Sequence, residues 1–309
     1  MYDTLNFHLT KEKAGNINLS FLQQNLKGFT EHQRDDETYF TGILKDNFKI
    51  SISDRVISFK GSLAKYFLND NFNTLTRSDT QRALEQMADE MLLPIQKADL
   101  TRIDFARNFL MDNEPEMYYK YLGDCQNYER LTQPHSVYYS NGLKQKLFYN
   151  KKAEGKAKKL IIPEVWSGQN VLRYEMRNTR RLPKQFNMAE VTTALLSDEK
   201  FYMELFDRWH QEYESINKIS NFNLNYSTMN SPKDFWKQLQ VNSIQQIGQE
   251  NIMQLIEDLR TKKAFDKPEY YSRLKKEIRE LCNEPELTSD SDLIVELDKK
   301  IKDSKRFYR

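Results

Sequence analysis

The chain has 309 residues, 30% of them charged, yet a formal net charge of only +2, which by itself argues against a nucleic-acid protein. Its length allows a full core and, at about 150 residues per domain, two domains or one with a large appendage. No apolar run approaches the roughly 20 residues that cross a bilayer, so no membrane contact is expected. The opening MYDTLNFHLT lacks the regions of a signal peptide, and Cys125 and Cys282 fit neither a disulfide framework nor a zinc spacing; a reducing cytoplasm is the expected location.

Residues 2 to 9 alternate as a first strand with one slip in phase, where Tyr2 and Thr4 give way to Leu5, Phe7 and Leu9. Ser20 to Lys27 reads as a short helix ended by Gly28. Three short strands follow at Tyr39 to Leu44, Phe48 to Ile52 and Arg55 to Phe59. Helical pattern resumes at Ser62 to Leu68 and at Ser78 to Leu93, with Ser78 and Gln81 as a capping box and Pro94 as the stop.

Leu100 to Phe109, LTRIDFARNF, predicts a strand with Arg102, Asp104, Ala106 and Asn108 on one face. An aspartate among apolar neighbours needs a partner, either a nearby arginine or a metal ion. A helix is expected around Glu116 to Leu122. Ser136 to Glu154 then reads as a β-hairpin, because Asn141-Gly142 suits the positive φ values of a type I′ turn. Its outgoing strand puts Leu147, Tyr149 and Lys151 on one face and Lys144, Lys146, Phe148 and Lys152 on the other. Tyr149 is one of 17 tyrosines, so it is either a packing residue or, beside a lysine, a nucleophile toward a phosphodiester.

Val171 to Asn178, VLRYEMRN, predicts a strand carrying Arg173, Glu175 and Arg177 on one face, either a surface ladder or a second carboxylate for the same site. Beyond it the pattern turns helical: Met188 to Leu196, Glu199 to Ile216, Pro232 to Gly248, Asn251 to Ala264, Pro268 to Cys282 and Asp292 to Lys302, with a polar linker near Asn221 to Ser231. The expected organisation is α+β: an antiparallel, helix-backed sheet over residues 1–184 and an α-helical region over 185–309.

Charge is unevenly spread. From Lys144 to Lys184 there are twelve Lys/Arg against Glu154, Glu164 and Glu175, a local +9. Such a segment is the footprint of a phosphate-backbone binder, although Lys156 to Lys159 also fits a solvated loop. The DNA-contact candidates are Lys144, Lys146, Lys152, Arg173, Arg177, Arg180 and Arg181.

Three strands carry a resemblance. Arg102-Ile103-Asp104, then Tyr149-Asn150-Lys151-Lys152-Ala153-Glu154, then Arg173-Tyr174-Glu175 resemble, in order and spacing, the motifs of rolling-circle replication initiators, the phage gene II and gene X type and the related plasmid initiators. That resemblance implies a nickase core of the HUH-like, RRM-like kind. It makes Tyr149 the nicking tyrosine that forms a 5′-phosphotyrosyl link and frees a 3′ hydroxyl, with Lys151 assisting at the phosphate. Asp104 and Glu175, with Glu154 as a third or structural acid, are implied as ligands for Mg²⁺ or Mn²⁺. The family's His-hydrophobic-His pair is absent, since His8, His32, His135 and His210 are unpaired. The implied partners are origin DNA, a host helicase, a DNA polymerase and a single-strand-binding protein, in the bacterial cytoplasm. Two other readings share part of this pattern: a non-catalytic DNA-binding initiator or repressor, and a metal-independent tyrosine recombinase or topoisomerase.

Overall fold

A computed structural model describes residues 1–35, 37–222, 227, 229–283 and 288–305. Its strands are β1 (Tyr2–Thr10), β2 (Lys27–Arg34), β3 (Glu37–Leu44), β4 (Phe48–Ile52), β5 (Val56–Ser62), β6 (Asp99–Met111), β7 (Leu122–Cys125), β8 (Glu129–Gln133), β9 (Ser136–Ser140), β10 (Lys144–Asn150), β11 (Asn170–Asn178), β12 (Ile216–Lys218), β13 (Asn221–Phe222) and β14 (Thr288–Ser289). Its helices are α1 (Lys11–Ala14), α2 (Leu19–Asn25), α3 (Leu63–Leu68), α4 (Arg77–Met91), α5 (Glu116–Tyr119), α6 (Lys151–Ala157), α7 (Leu182–Phe186), α8 (Glu199–Glu214), α9 (Pro232–Ile247), α10 (Gln249–Thr261), α11 (Glu269–Cys282) and α12 (Asp292–Asp303). The fold is α+β, and no helix among the described residues is long and apolar enough to cross a membrane. The chain forms two compact units: Met1–Pro115 with Glu129–Tyr213, and Glu116–Tyr128 with Glu214–Arg309.

The first unit is built on a ten-stranded sheet in the order β2-β3-β4-β5-β1-β6-β11-β10-β9-β8. Every pairing in it is antiparallel. At its centre the two faces differ in chemistry. One face carries Phe105, Phe148 and Tyr174, all fully buried. Against it α8 lays Tyr202, whose ring centroid is 5.6 Å from that of Phe105, and Trp209, 4.8 Å from Tyr174; Phe148 stacks on Tyr174 at 4.5 Å. Aromatic burial of this density makes α8 integral to the sheet. The opposite face is polar and holds the candidate site.

The second unit pairs β7 with β12 and β13 with β14, and its helices α10 and α11 close around Met253, Ile256 and Tyr271. Positions 223–226 and 228 of the linker expected over Asn221 to Ser231 lie outside the described residues.

Several local expectations change. The 184/185 boundary lies inside the first unit, which continues through α7 and α8 to Tyr213. Met188 to Leu196 is mostly irregular, with a 3₁₀ turn at Thr193–Ser197. The α4 capping box is Thr76 with Asp79 rather than Ser78 with Gln81. At the hairpin, neither Asn141 nor Gly142 has positive φ, so the turn is not type I′. Instead the Asn141 side chain accepts from the backbone N–H groups of Leu143 at 2.9 Å and Lys144 at 2.8 Å, an Asx-type turn one residue further along.

Candidate active site

Register brings the three motif strands together. Arg177 lies opposite Asp104, Glu175 opposite Ala106 and Arg173 opposite Asn108 across β11 and β6; Tyr149 lies opposite Arg173 and Leu147 opposite Glu175 across β10 and β11. Because side chains alternate, Asp104, Asn108, Tyr149, Arg173, Glu175 and Arg177 share one face. Tyr149 is half-buried as a residue, and burial is the largest influence on its phenol.

The phenol donates to Glu175 Oε2 at 3.1 Å. Glu175 is almost wholly buried, and its other oxygen accepts from Arg177 Nε at 2.6 Å while Arg173 Nε reaches Oε2 at 3.2 Å. Burial would raise the Glu175 pKa, but the charges of Arg177 and Arg173 outweigh it and hold the carboxyl below its ordinary value. Burial and the Glu175 charge push the Tyr149 phenol well above its ordinary value, keeping it neutral until its proton is taken.

Asp104 is fully buried and accepts both arms of Arg102, from Nε at 2.7 Å and an outer nitrogen at 2.6 Å. Arg177 Nε also lies 3.7 Å from it, so this one guanidinium spans Asp104 and Glu175. Burial, joined by the Glu175 charge, pushes the Asp104 pKa up to about 7 against the pull of Arg102 and Arg177. Two neighbouring carboxyls thus have proton affinities moved in opposite directions.

Lys151 departs from the strand. Asn150 accepts from the backbone N–H of Lys152 at 3.1 Å and Ala153 at 3.0 Å, capping α6, so Lys151 opens a helix. Its side chain still reaches the site: the ammonium is fully buried, 6.0 Å from the centre of the Tyr149 ring, and donates to Asn71 Oδ1 at 2.8 Å and Glu154 Oε2 at 2.6 Å. Burial, with the nearby Arg173 charge, lowers its pKa to about 8.

Glu154 spends both oxygens on lysines, Lys151 and Lys158, each at 2.6 Å. Asp104 and Glu175 are engaged in the same way, by Arg102 and by Arg173 and Arg177. Among the described residues no group of three or more His, Cys, Asp or Glu is arranged to hold a metal ion. The donor chemistry fits a smaller demand, since magnesium takes one or two protein carboxylates and keeps water or phosphate at its other positions. Asp104 and Glu175 are two carboxylates tied through Arg177, and a cation there would have to take the place of their arginine contacts.

The DNA-contact candidates divide. Lys144 and Lys146 reach Glu212 on α8 at 2.8 Å and 3.0 Å, on the face away from Tyr149. Lys146 is fully buried and Arg173 is 3% exposed, which leaves neither a surface to meet a phosphate. An apolar partner face and a carboxylate pair, both invisible to a count of charges, explain this. Arg180 and Arg181 are exposed beyond β11, Lys152 is half-buried on α6, and Arg177 keeps 27% of its side chain accessible.

Asp3, Ser62, Asn71 and Asn108 complete the site and were not singled out from the sequence. Asp3 is buried, pairs with Arg173 and accepts from Ser62 and Asn71. Burial opposes its charge, yet Arg173 and the Ser62 hydrogen bond hold its pKa at about 2. The available signal was the phase slip in the first strand: the register of β1 against β6 shifts between Tyr2 and Leu5, the bulge within which Asp3 lies.

The family model for the N-terminal region of the phage gene II replication-associated protein matches residues 1–212. No curated protein matches the chain. The matched span holds every strand and side chain of the site just described and ends within one residue of the first unit. The chain belongs to this gene II family of phage rolling-circle replication initiators.

Proposed function

We propose that the protein nicks one strand of origin DNA by transesterification onto Tyr149. The observation that carries this reading is the Tyr149 hydroxyl donating to the ionised Glu175 at 3.1 Å, on the polar face of the sheet. Glu175 Oε2 accepts the phenol proton as the tyrosine oxygen attacks phosphorus in line. The P–O3′ bond breaks, the 3′ oxygen leaves and takes a proton from solvent, and the 5′ phosphate stays on Tyr149. One phosphoester replaces another, so the reverse step rejoins the strand. Lys151 supplies buried positive charge beside the ring, which favours the developing phenolate.

Asp3, Asp104, Glu154 and Glu175 are opposed by Arg102, Lys151, Arg173 and Arg177, so the cluster is close to neutral before DNA arrives. An incoming phosphate adds negative charge that these residues do not offset. Asp104 and Glu175 would hold Mg²⁺ or Mn²⁺, which when bound polarises the scissile phosphate. Of the DNA-contact candidates, exposed Arg180 and Arg181, half-buried Lys152 and the accessible part of Arg177 are placed to meet the backbone. The helicase, polymerase and single-strand-binding protein of the host would act on the freed 3′ end.

Mass spectrometry of the protein-DNA adduct tests this. With Mg²⁺ and origin DNA the adduct is expected on Tyr149, and Tyr149→Phe should abolish it. Mg²⁺ should also raise the Tm of the wild type but not of Asp104→Asn. A linkage through another residue, or a full yield of adduct from Tyr149→Phe, would sink the assignment.

A further inference from the structure

The polar face continues past the site, toward β5 and β4. Across β4 and β5, Lys49 lies directly opposite Lys60; across β5 and β1, Lys60 lies opposite Asn6; across β1 and β6, Asn6 lies opposite Arg102. Lys49 and Lys60 are exposed, and neither has an ion-pair partner among the described residues. Like charges directly opposite on one sheet face are destabilising, so this pair needs a reason other than stability. The acids nearby are already engaged: Asp46 with Lys27, Asp99 and Glu190 with Lys13, and Glu37 with Arg55.

Around the two lysines the face forms a shallow cavity of about 430 Å³, lined in part by Thr41, Ile43, Ser51 and Ser58, with Ile43 38% exposed. Cations, hydroxyls and an apolar flank suit a strand whose bases are unpaired: phosphates meet ammonium groups while base edges and faces remain available. From the strand of Lys49 to that of Arg102 is three strand spacings, about 14 Å, room for about four nucleotides at the stacked rise of about 3.4 Å. The row ends on Arg102, which holds Asp104.

We infer that this open face, from Lys49 and Lys60 to Arg102, is a track that holds single-stranded DNA leading to Tyr149. It rests on the nicking reading only for the direction of the strand. Charge complementarity and continuity with the site support single-stranded DNA as the occupant. A duplex, wider and stiffer, would meet a twisted sheet face at fewer points.

Binding of fluorescein-labelled oligothymidylate to the full-length chain across a salt series tests the track, with adduct formation on origin DNA measured separately. Lys49→Ala with Lys60→Ala should weaken binding and reduce the slope of log affinity against log salt by about 1.4, at about 0.7 per phosphate contact on a single strand. Lys262→Ala with Lys263→Ala, in the second unit, should leave the slope unchanged. Lys60→Glu should raise Tm by pairing with Lys49 while weakening oligothymidylate binding, which separates lost contact from lost fold. An unchanged slope in the double variant overturns the track whether or not Tyr149 carries the adduct. A slope change seen only with duplex DNA overturns it as well. Loss of the slope in a chain that forms no adduct supports the track and removes the nicking reading alone.

Discussion

At the scale of single residues, the cluster around Tyr149 works through charges that burial makes expensive. Lys151 shows the sign most plainly. Its ammonium has a pKa lowered to about 8, because burial and Arg173 disfavour its charge more than Glu154 and Asp3 favour it. Below about pH 8 the positive charge is present beside the Tyr149 ring; above it the charge is lost. Adduct formation by the wild type should therefore fall as pH rises through about 8, and Lys151→Met should be slower below that pH and lack the fall. An identical pH profile in the two proteins would remove Lys151 from the chemistry. For stability the sign is opposite: the unfolded lysine binds its proton more tightly than the folded one, so the fold gains stability as pH rises from about 8 toward the ordinary lysine value.

At the scale of elements, the strands and their faces were legible in the sequence because alternation reports them directly. Period-two counting put Arg102 with Asp104, Leu147 with Tyr149 and Arg173 with Glu175 on one face of each strand, and the pairing registers bring those three faces together. Where polar side chains override periodicity, the sequence was less informative. Asn150 caps α6 and turns Lys151 out of the strand, and Asn141 builds the hairpin turn with its own carboxamide. β2 escaped notice because as an edge strand it is exposed on both faces and shows no apolar alternation. The turn gives a direct test. A type I′ turn would make Gly142→Ala costly, but Gly142 lacks positive φ and a Cβ there meets nothing within 4 Å. Gly142→Ala should be neutral or stabilising by about 0.4–1 kcal/mol in denaturant unfolding. Asn141→Ala, which removes the acceptor of two exposed backbone donors, should destabilise by about 0.5–1.5 kcal/mol.

At the scale of the whole molecule, the first unit is a sheet with one aromatic face and one ionic face, and each constrains the other. The aromatic face needs α8, so a chain ending at Lys184 would leave Phe105, Phe148 and Tyr174 uncovered. Trp209 is fully buried against Tyr174 and Phe109, and Trp209→Ala should cost about 3–5 kcal/mol in the full chain. Unfolding followed by far-UV circular dichroism measures it; a loss below about 1 kcal/mol would mean that α8 is dispensable to the sheet. A boundary at residue 184 follows from the change of pattern there from strands to helices, whereas the aromatic complement of the sheet is delivered some 20 residues later by the helix α8.

The pairing of β7 with β12 has a consequence for how such chains can be shuffled. Leu122 and Cys125 are buried in the second unit, and their strand partners begin at Ile216, on the far side of the whole β8 to α8 stretch. A crossover that exchanged everything after Tyr213 between two relatives would leave a native strand facing a foreign partner. A viable chimaera has to carry Glu116–Tyr128 along with the C-terminal segment, so the tail is inherited in two pieces or not at all.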